Sequence, residues 1–441
     1  MRVGGLLVAF AALAAVVGGI WWSNKSKEAA ANKPSPDAPP KILEIPEDQF
    51  RKIEIRKTDG ETTIVEKKAE AWEITAPKPL PVDQDAMNSM ISSLASLTSD
   101  HLIEEKAEDL SAFGLTKPSV EIIVTLADGQ TRNVLIGDET PTGYSYFAGL
   151  RGDPRVFTIA SYTKSNIDKT SNDLRDKRLL KFDSDKLTRV ELDAKGQVLE
   201  FGKNNQNEWQ ILKPRPLRAD GGMVEELIRN LRDARMDLSF PEEELKKAPS
   251  AFASATRVAV ARVTDASGTQ ELQVRRDKDN NYYARSSAVE GVYRIASYVG
   301  DALDKRLEDF RNKKVFDFGW NDPTKVEVRD GDKHTVYEKS GDKWMSAGKQ
   351  MDSASVHTVI DKLRDLSAER FPEKGFGTPS LEFVVTSNEG KRVEKVLIAK
   401  SGDEWIARRE NEPSLYQLAA SAVEELQKAL SEVKEAAPEK K

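Results

Sequence analysis

The sequence predicts an α+β protein: an N-terminal transmembrane helix followed by three tandem repeated domains with antiparallel sheets and capped amphipathic helices. Three observations predict it. A 20-residue run without a charge opens the chain at 3–22. A tryptophan–aspartate–helix segment then occurs three times, and each copy follows short alternating stretches that turn at Gly-containing pairs.

Taken in order, the uncharged run spans ~30 Å at ~1.5 Å per residue, the thickness of a bilayer's hydrocarbon core. Trp21 and Trp22 close it where indole rings favour the interface, and Lys25 and Lys27 follow. A cleaved signal peptide is the rival reading, but its apolar region is usually ~7–15 residues. The nearest small-residue site, Ala29 to Ala31, stands well beyond the run. An uncleaved single-pass anchor at 1–22 is therefore expected, with the body exported to the periplasm or an equivalent space. Residues 23–43 are rich in Ala, Pro, Ser and Lys, with Pro34, Pro36, Pro39 and Pro40. Such a stretch buries little apolar surface and reads as an extended linker.

The repeat is clearest at Trp72…Asp83 and Trp209…Asp220, both W-x10-D; Trp344 and Asp352 stand three residues closer. Behind each Asp, apolar residues recur at helical spacing. They are Met87, Met90, Ile91, Leu94 and Leu97; Val224, Leu227, Ile228, Leu231 and Ala234; and Val356, Val359, Ile360, Leu363 and Leu366. Each Asp stands at an N-cap position, with its preceding residue (Val82, Ala219, Met351) placed as a hydrophobic staple. Ile53-Glu54-Ile55 returns as Val190-Glu191-Leu192 and Val326-Glu327-Val328, at offsets of 137 and 136. Strands are expected at 53–58, 62–68 and 71–75 before the helix, and at 119–127, 131–136, 144–150 and 155–159 after it. A second helix follows at 161–169, with Ser161 at its N-cap. The repeat domains are 44–182, 183–318 and 319–430, and a charged tail, 431–441, follows.

Two connectors stand out: Asp173-Leu174-Arg175-Asp176-Lys177-Arg178-Leu179-Leu180-Lys181-Phe182 and Asp309-Phe310-Arg311-Asn312-Lys313-Lys314-Val315-Phe316-Asp317-Phe318. Their apolar members should anchor to the flanking cores and leave Arg175, Lys177, Arg178, Arg311, Lys313 and Lys314 near the junction surface. Those six cations are the candidate partner contacts, for an anionic partner or lipid headgroup. Local pairing with neighbouring acids is the favoured alternative.

The first repeat resembles a family of bacterial envelope proteins, domain of unknown function 4340. Phe113-Gly114-Leu115 with Pro118, Gly129, Leu135-Ile136-Gly137, Pro141, Gly143, Val156-Phe157 and the stretch from Asp173 to Lys177 carry the likeness over about 60–182. Phe376-Gly377 with Pro379 echoes it in the third repeat, and Phe252 alone in the second. The resemblance implies an envelope protein with an N-terminal membrane segment, some relatives being encoded with gliding-type ABC transporter auxiliary proteins. It brings no catalytic residues.

The residues give little chemistry to add. The 67 basic and 73 acidic residues nearly balance, which makes no case for nucleic acid. The absence of cysteine excludes disulfides, thiolate catalysis, cysteine-ligated zinc and a lipid-bearing N-terminal Cys. His101, His334 and His357 have no partner at metal-ligand spacing. Asp277-Lys278-Asp279-Asn280-Asn281 begins like a calcium loop, but Tyr282 stands at the glycine position, so a hairpin turn is expected. Ser161…Lys164 and Ser346…Lys349 fit S-x-x-K without the companion motifs of penicillin-recognising enzymes. No catalytic, cofactor-binding or metal-binding residue is nominated, and no cofactor is expected. The reading is a non-catalytic, membrane-anchored interaction or accessory module with protein partners in the envelope, in keeping with an ABC-type transport complex. A polysaccharide binder using the recurring aromatics Trp72, Trp209, Trp344, Tyr146, Tyr282 and Trp405 is the alternative. A carboxylate hydrolase ranks below both.

Overall fold

The computed structural model describes residues 40–437, apart from 59, 61 and 321. The expected transmembrane helix at 1–22 and the linker up to residue 39 lie outside the described residues. Among those described, no helix is long and apolar enough to cross a membrane. The chain divides into two compact units, through Lys177 and from Arg178 onward.

The first unit holds a nine-stranded sheet. Its order runs from Leu80–Pro81 through Ala71–Ala76, Thr63–Lys68, Phe50–Lys57, Val120–Leu126, Thr131–Glu139, Ser145–Leu150 and Val156–Ala160 to His101–Glu104. The second unit holds two such sheets, of eight and nine strands in the equivalent order. Every ladder is antiparallel, so the fold is α+β as expected. The middle pair keeps one register throughout: Ile53 faces Val124, Val190 faces Val263, and Val326 faces Val385.

Helices Gln84–Ala95, Gly221–Arg232 and Ser353–Asp365 cover one face of their sheets. The caps are as read from the sequence. Asp83 accepts from the N–H groups of Asp85 (3.1 Å) and Ala86 (3.2 Å), Asp220 from Met223 (3.2 Å), and Asp352 from Ser355 (2.9 Å). All the apolar positions of the three helical patterns are buried, and Trp72, Trp209 and Trp344 are buried with them. Each repeat therefore has its own apolar core between helix and sheet.

Three local expectations change. Ser161 is the first helical residue rather than the cap; Ala160 precedes it, and Ser161 Oγ donates to the Tyr144 carbonyl (2.9 Å). Lys41–Glu44, read as the end of the linker and the domain edge, is a strand paired with Ser96–Thr98. Burial of Ile42, Leu43 and Ile45 explains it, since three apolar residues in four outweigh the proline-rich stretch before them. The tail from Ser431 is not wholly detached either: Ser431 ends helix Ala420–Ser431, and Glu435 forms a β-bridge with Met351.

Candidate functional site at the repeat connectors

Each repeat grips the segment that leaves it in the same way. The N–H of the cap aspartate donates to a carbonyl of that segment: Asp83 to Leu174 (2.8 Å), Asp220 to Phe310 (2.8 Å), Asp352 to Lys434 (2.9 Å). The staple residues beside the caps form bridges one residue on, Val82 with Arg175, Ala219 with Arg311, and Met351 with Glu435. Each repeat also grips an incoming segment beyond its central helix. Leu179 N donates to Ala234 O (2.9 Å) and Val315 N to Leu366 O (3.0 Å). In the first repeat, strand Lys41–Glu44 takes that place through Leu43 and Leu97.

Side chains from the receiving sheets complete the clamp. Ser286 Oγ donates to the Leu179 carbonyl, and at the equivalent strand position Arg409 donates to that of Val315 (2.5 Å). Gln270 accepts from Lys181 N (2.7 Å), and Glu394 from Asp317 N (2.7 Å). The apolar connector residues divide as expected. Leu174 belongs to the first core, Leu179, Leu180 and Phe310 to the second, Val315 and Phe316 to the third.

The six candidate cations do not share one environment. Arg178, Lys313 and Lys314 are exposed and Lys177 is half-buried. Arg175 and Arg311 are buried, which corrects the expectation that they face outward. For Arg311 the reason is an aromatic ring and a hydroxyl that receive its guanidinium. Arg311 lies 3.5 Å from the centre of the Phe371 ring and donates to Ser414 Oγ (3.0 Å). Burial holds its pKa below the usual arginine value. Lys314 Nζ donates to the Arg364 carbonyl (3.1 Å) and lies 3.7 Å from Asp365.

Around the second connector stands a largely half-buried polar network that no local sequence signal announces. Arg218 donates to the Lys314 carbonyl (2.9 Å), to the Tyr416 hydroxyl (3.0 Å) and to the Asp317 carboxylate. Asp317 also accepts from Asn312 Nδ2 (2.9 Å), and Arg409 Nη2 lies 3.6 Å away. Arg409 donates to Glu394 (2.9 Å) and Glu412 (2.7 Å), while Arg392 reaches Glu208 of the second repeat (2.5 Å). Burial works against the charge on Arg218, but Asp317, Tyr416 and Glu412 outweigh it and hold its pKa above the usual value. Burial, with Glu412 adding to it against Arg218, pushes the Tyr416 phenol up to about 12. At the place of Asp317 the first connector has Lys181, so this network is particular to the second junction.

The motif residues that carry the family resemblance serve packing. Phe113 packs edge-on against Phe147 (5.0 Å) on the sheet face opposite the central helix. Leu115, Leu135 and Val156 form a small cluster there, their neighbours Val134, Ile136 and Phe157 alternating to the other face. Gly114 turns the chain with φ +69°, and a Cβ on Gly137 would overlap the Phe113 carbonyl oxygen. In the second and third repeats Phe252 and Phe376 lie under Arg285 (5.2 Å) and Arg408 (4.5 Å). Gly137→Ala is therefore expected to displace the segment around Phe113. The loss should be about 1–3 kcal/mol, the usual range for overpacking, read by thermal unfolding and by new protease cleavage near 105–118.

The other candidates do not converge. Ser161 and Lys164 are engaged separately, Lys164 with Asp168 at 2.6 Å, and Lys349 pairs with Glu435 at 2.5 Å. His357 Nδ1 contacts the Ser353 carbonyl (2.7 Å), and its ring stands edge-on to Trp344. Asp277 closes a hairpin turn, accepting from Asp279 N (2.8 Å) and Asn281 N (2.9 Å). No group of three metal-ligating side chains stands together among the described residues.

The model of the family called Domain of unknown function (DUF4340) matches residues 72–250 and again 209–381. The chain belongs to this family. The two DUF4340 matches begin at Trp72 and Trp209, in step with the repeat. Each runs past a whole connector and the next central helix, so a DUF4340 unit includes the clamp just described. No curated protein and no solved structure matches the chain.

Proposed function

We propose that this DUF4340 protein is a membrane-anchored, non-catalytic interaction or accessory module whose body lies outside the cytoplasm. It would serve a protein complex of the cell envelope, and the family resemblance suggests an ABC-type transport complex. One observation carries the reading: the features that recur in every repeat build cores and grip connectors. Trp72, Trp209 and Trp344 are buried, as are Tyr282 and Trp405, and Tyr146 is half-buried. The polysaccharide reading has therefore lost the aromatic platform it relied on. The uncharged run at 3–22 supports the tether.

The test is affinity purification from native membranes with partners identified by mass spectrometry, beside protease treatment of spheroplasts. The body should be digested from outside while the protein sediments with membranes. Replacing Arg178, Lys313 and Lys314 with Gln should leave the recovered partners unchanged and thermal stability within a degree or two, since exposed ion pairs contribute ~0–1 kcal/mol each. Loss of partners with an intact fold would place the working surface on the connectors. Protection from external protease would sink the extracytoplasmic placement.

A further inference from the structure

On the second sheet, the face turned away from the central helix carries charged residues, and most of its cations are paired with carboxylates. Arg189 meets Glu191 (2.5 Å) and Glu200 (2.8 Å), Lys213 meets Glu200 (2.7 Å), Arg262 meets Glu271 (2.6 Å), and Arg257 meets Asp193. Three arginines of the same face differ. Arg275 donates to the carbonyls of Phe252 (3.2 Å) and Ala253 (3.3 Å), Arg285 to the Gln273 side chain (3.4 Å), and Arg294 to Asn281 Oδ1 (2.5 Å). These acceptors are neutral, and among the described residues no carboxylate lies within 4.0 Å of the three guanidinium groups.

Their placement follows from the strand register. Tyr283 faces Arg275 on one side and Arg294 on the other, and Arg285 is two residues along the strand from Tyr283. Leu272, Val274, Ala284 and Ile295 alternate with them into the core, so all four outward side chains share one face. At ~4.8 Å per strand spacing, Arg275 and Arg294 flank Tyr283 across ~10 Å, with Arg285 on the diagonal.

Aromatic rings hold the guanidinium planes: Phe252 lies 4.7 Å from Arg275 and 5.2 Å from Arg285, and Phe240 lies 4.2 Å from Arg294. Stacking occupies the faces of a guanidinium and leaves N–H edges to donate. Burial first, and then Asp277, which accepts a hydrogen bond from its hydroxyl, and Glu244 raise the pKa of the Tyr283 phenol. Asp277 accepts from Asp279 N (2.8 Å) and Asn281 N (2.9 Å), and Glu244 pairs with Lys247 (3.1 Å). A shallow cavity of about 350 Å³ opens beside Arg275 on this face; Asp193, Arg257, Arg262, Glu271 and Gln273 also line it, whereas Arg285 and Arg294 do not.

We propose that Arg275, Arg285 and Arg294 form a binding site for a phosphate-bearing ligand on the open face of the second sheet. A single carboxylate is satisfied by one arginine fork. Three prearranged forks around a phenol suit a group with more oxygens and more charge. The phosphate could belong to a lipid headgroup or to a soluble phosphate compound, and the two sources are separable by experiment.

The full chain in neutral detergent would be titrated with inorganic pyrophosphate by calorimetry. In parallel, its flotation with phosphatidylglycerol vesicles would be compared with phosphatidylcholine vesicles. R275Q/R285Q is expected to weaken pyrophosphate binding about tenfold or more, while R189Q, which removes a cation paired with Glu191 and Glu200 away from the site, leaves it unchanged. Pyrophosphate binding without a vesicle effect supports the site and points to a soluble phosphate. Anionic-vesicle flotation that falls in R275Q/R285Q supports it with a lipid source. Should the double variant unfold, R294Q carries the same comparison, with thermal unfolding as the check on its fold. Absence of both binding signals in the unaltered chain overturns the proposal, and so does binding that the arginine substitutions leave untouched.

Discussion

Replacing Trp344 with alanine is expected to destabilise the third repeat by about 3–5 kcal/mol, the range for deleting a buried aromatic side chain. Trp344 is 1% exposed and sits among the third core's helix and strand residues. Domains are stable by only ~5–15 kcal/mol, so this is a large share of what holds the repeat folded. The indole N–H has no hydrogen-bond acceptor among the described residues. Trp344→Phe removes that unsatisfied donor and keeps an aromatic ring, so it should be distinctly milder than alanine. Chemical denaturation monitored by circular dichroism separates the two variants. A loss below about 1 kcal/mol for the alanine variant would contradict the packing account.

Removal of the Asp317 carboxylate is the second large effect expected. Asp317→Ala leaves Arg218 buried without its principal counter-ion, and also frees Asn312 and the edge of Arg409. Breaking a buried pair from one side usually costs about 3–5 kcal/mol. Asp317 keeps 23% of its side-chain surface exposed, which argues for the lower end, about 3 kcal/mol. Because Arg218 and Asp317 come from the second repeat and the connector, the variant should also uncouple the second repeat from the third. Calorimetry is expected to show one more transition than the unaltered chain, as the second and third repeats melt apart. Adding Arg218→Met should recover much of the loss, since the stranded charge is then gone. A single transition with unchanged midpoint would show that the network sets neither stability nor coupling.

The parts of the fold that were legible in sequence are those written over a few neighbouring residues. The Asp83, Asp220 and Asp352 caps, the helical stripes behind them and the alternating strands all obey local periodicities. The clamp was not legible, because a bridge between Val82 and Arg175 involves one residue on each side and leaves no period to read. The same holds for Arg218 and Asp317, which are 99 residues apart in sequence. Arg311 was read as a surface cation because its neighbours Lys313 and Lys314 are; only the aromatic face of Phe371 explains why it turns inward. The unpaired trio Arg275, Arg285 and Arg294 became visible only when strand register placed them around Tyr283.

The clamp also bears on how such a chain grows by gene duplication. Lys41, Lys177 and Lys313 stand 136 residues apart, each at or beside the start of the segment that a repeat receives. A unit cut in that phase runs from one received segment to the next, out of step with a boundary drawn between sheets. A copy added in that phase brings its own incoming segment and finds a grip waiting beside the previous cap aspartate, as residues 434–436 do beside Asp352. A repeat cut in that phase keeps each received segment with the repeat that grips it, whereas a cut between sheets would leave that segment behind on the repeat before.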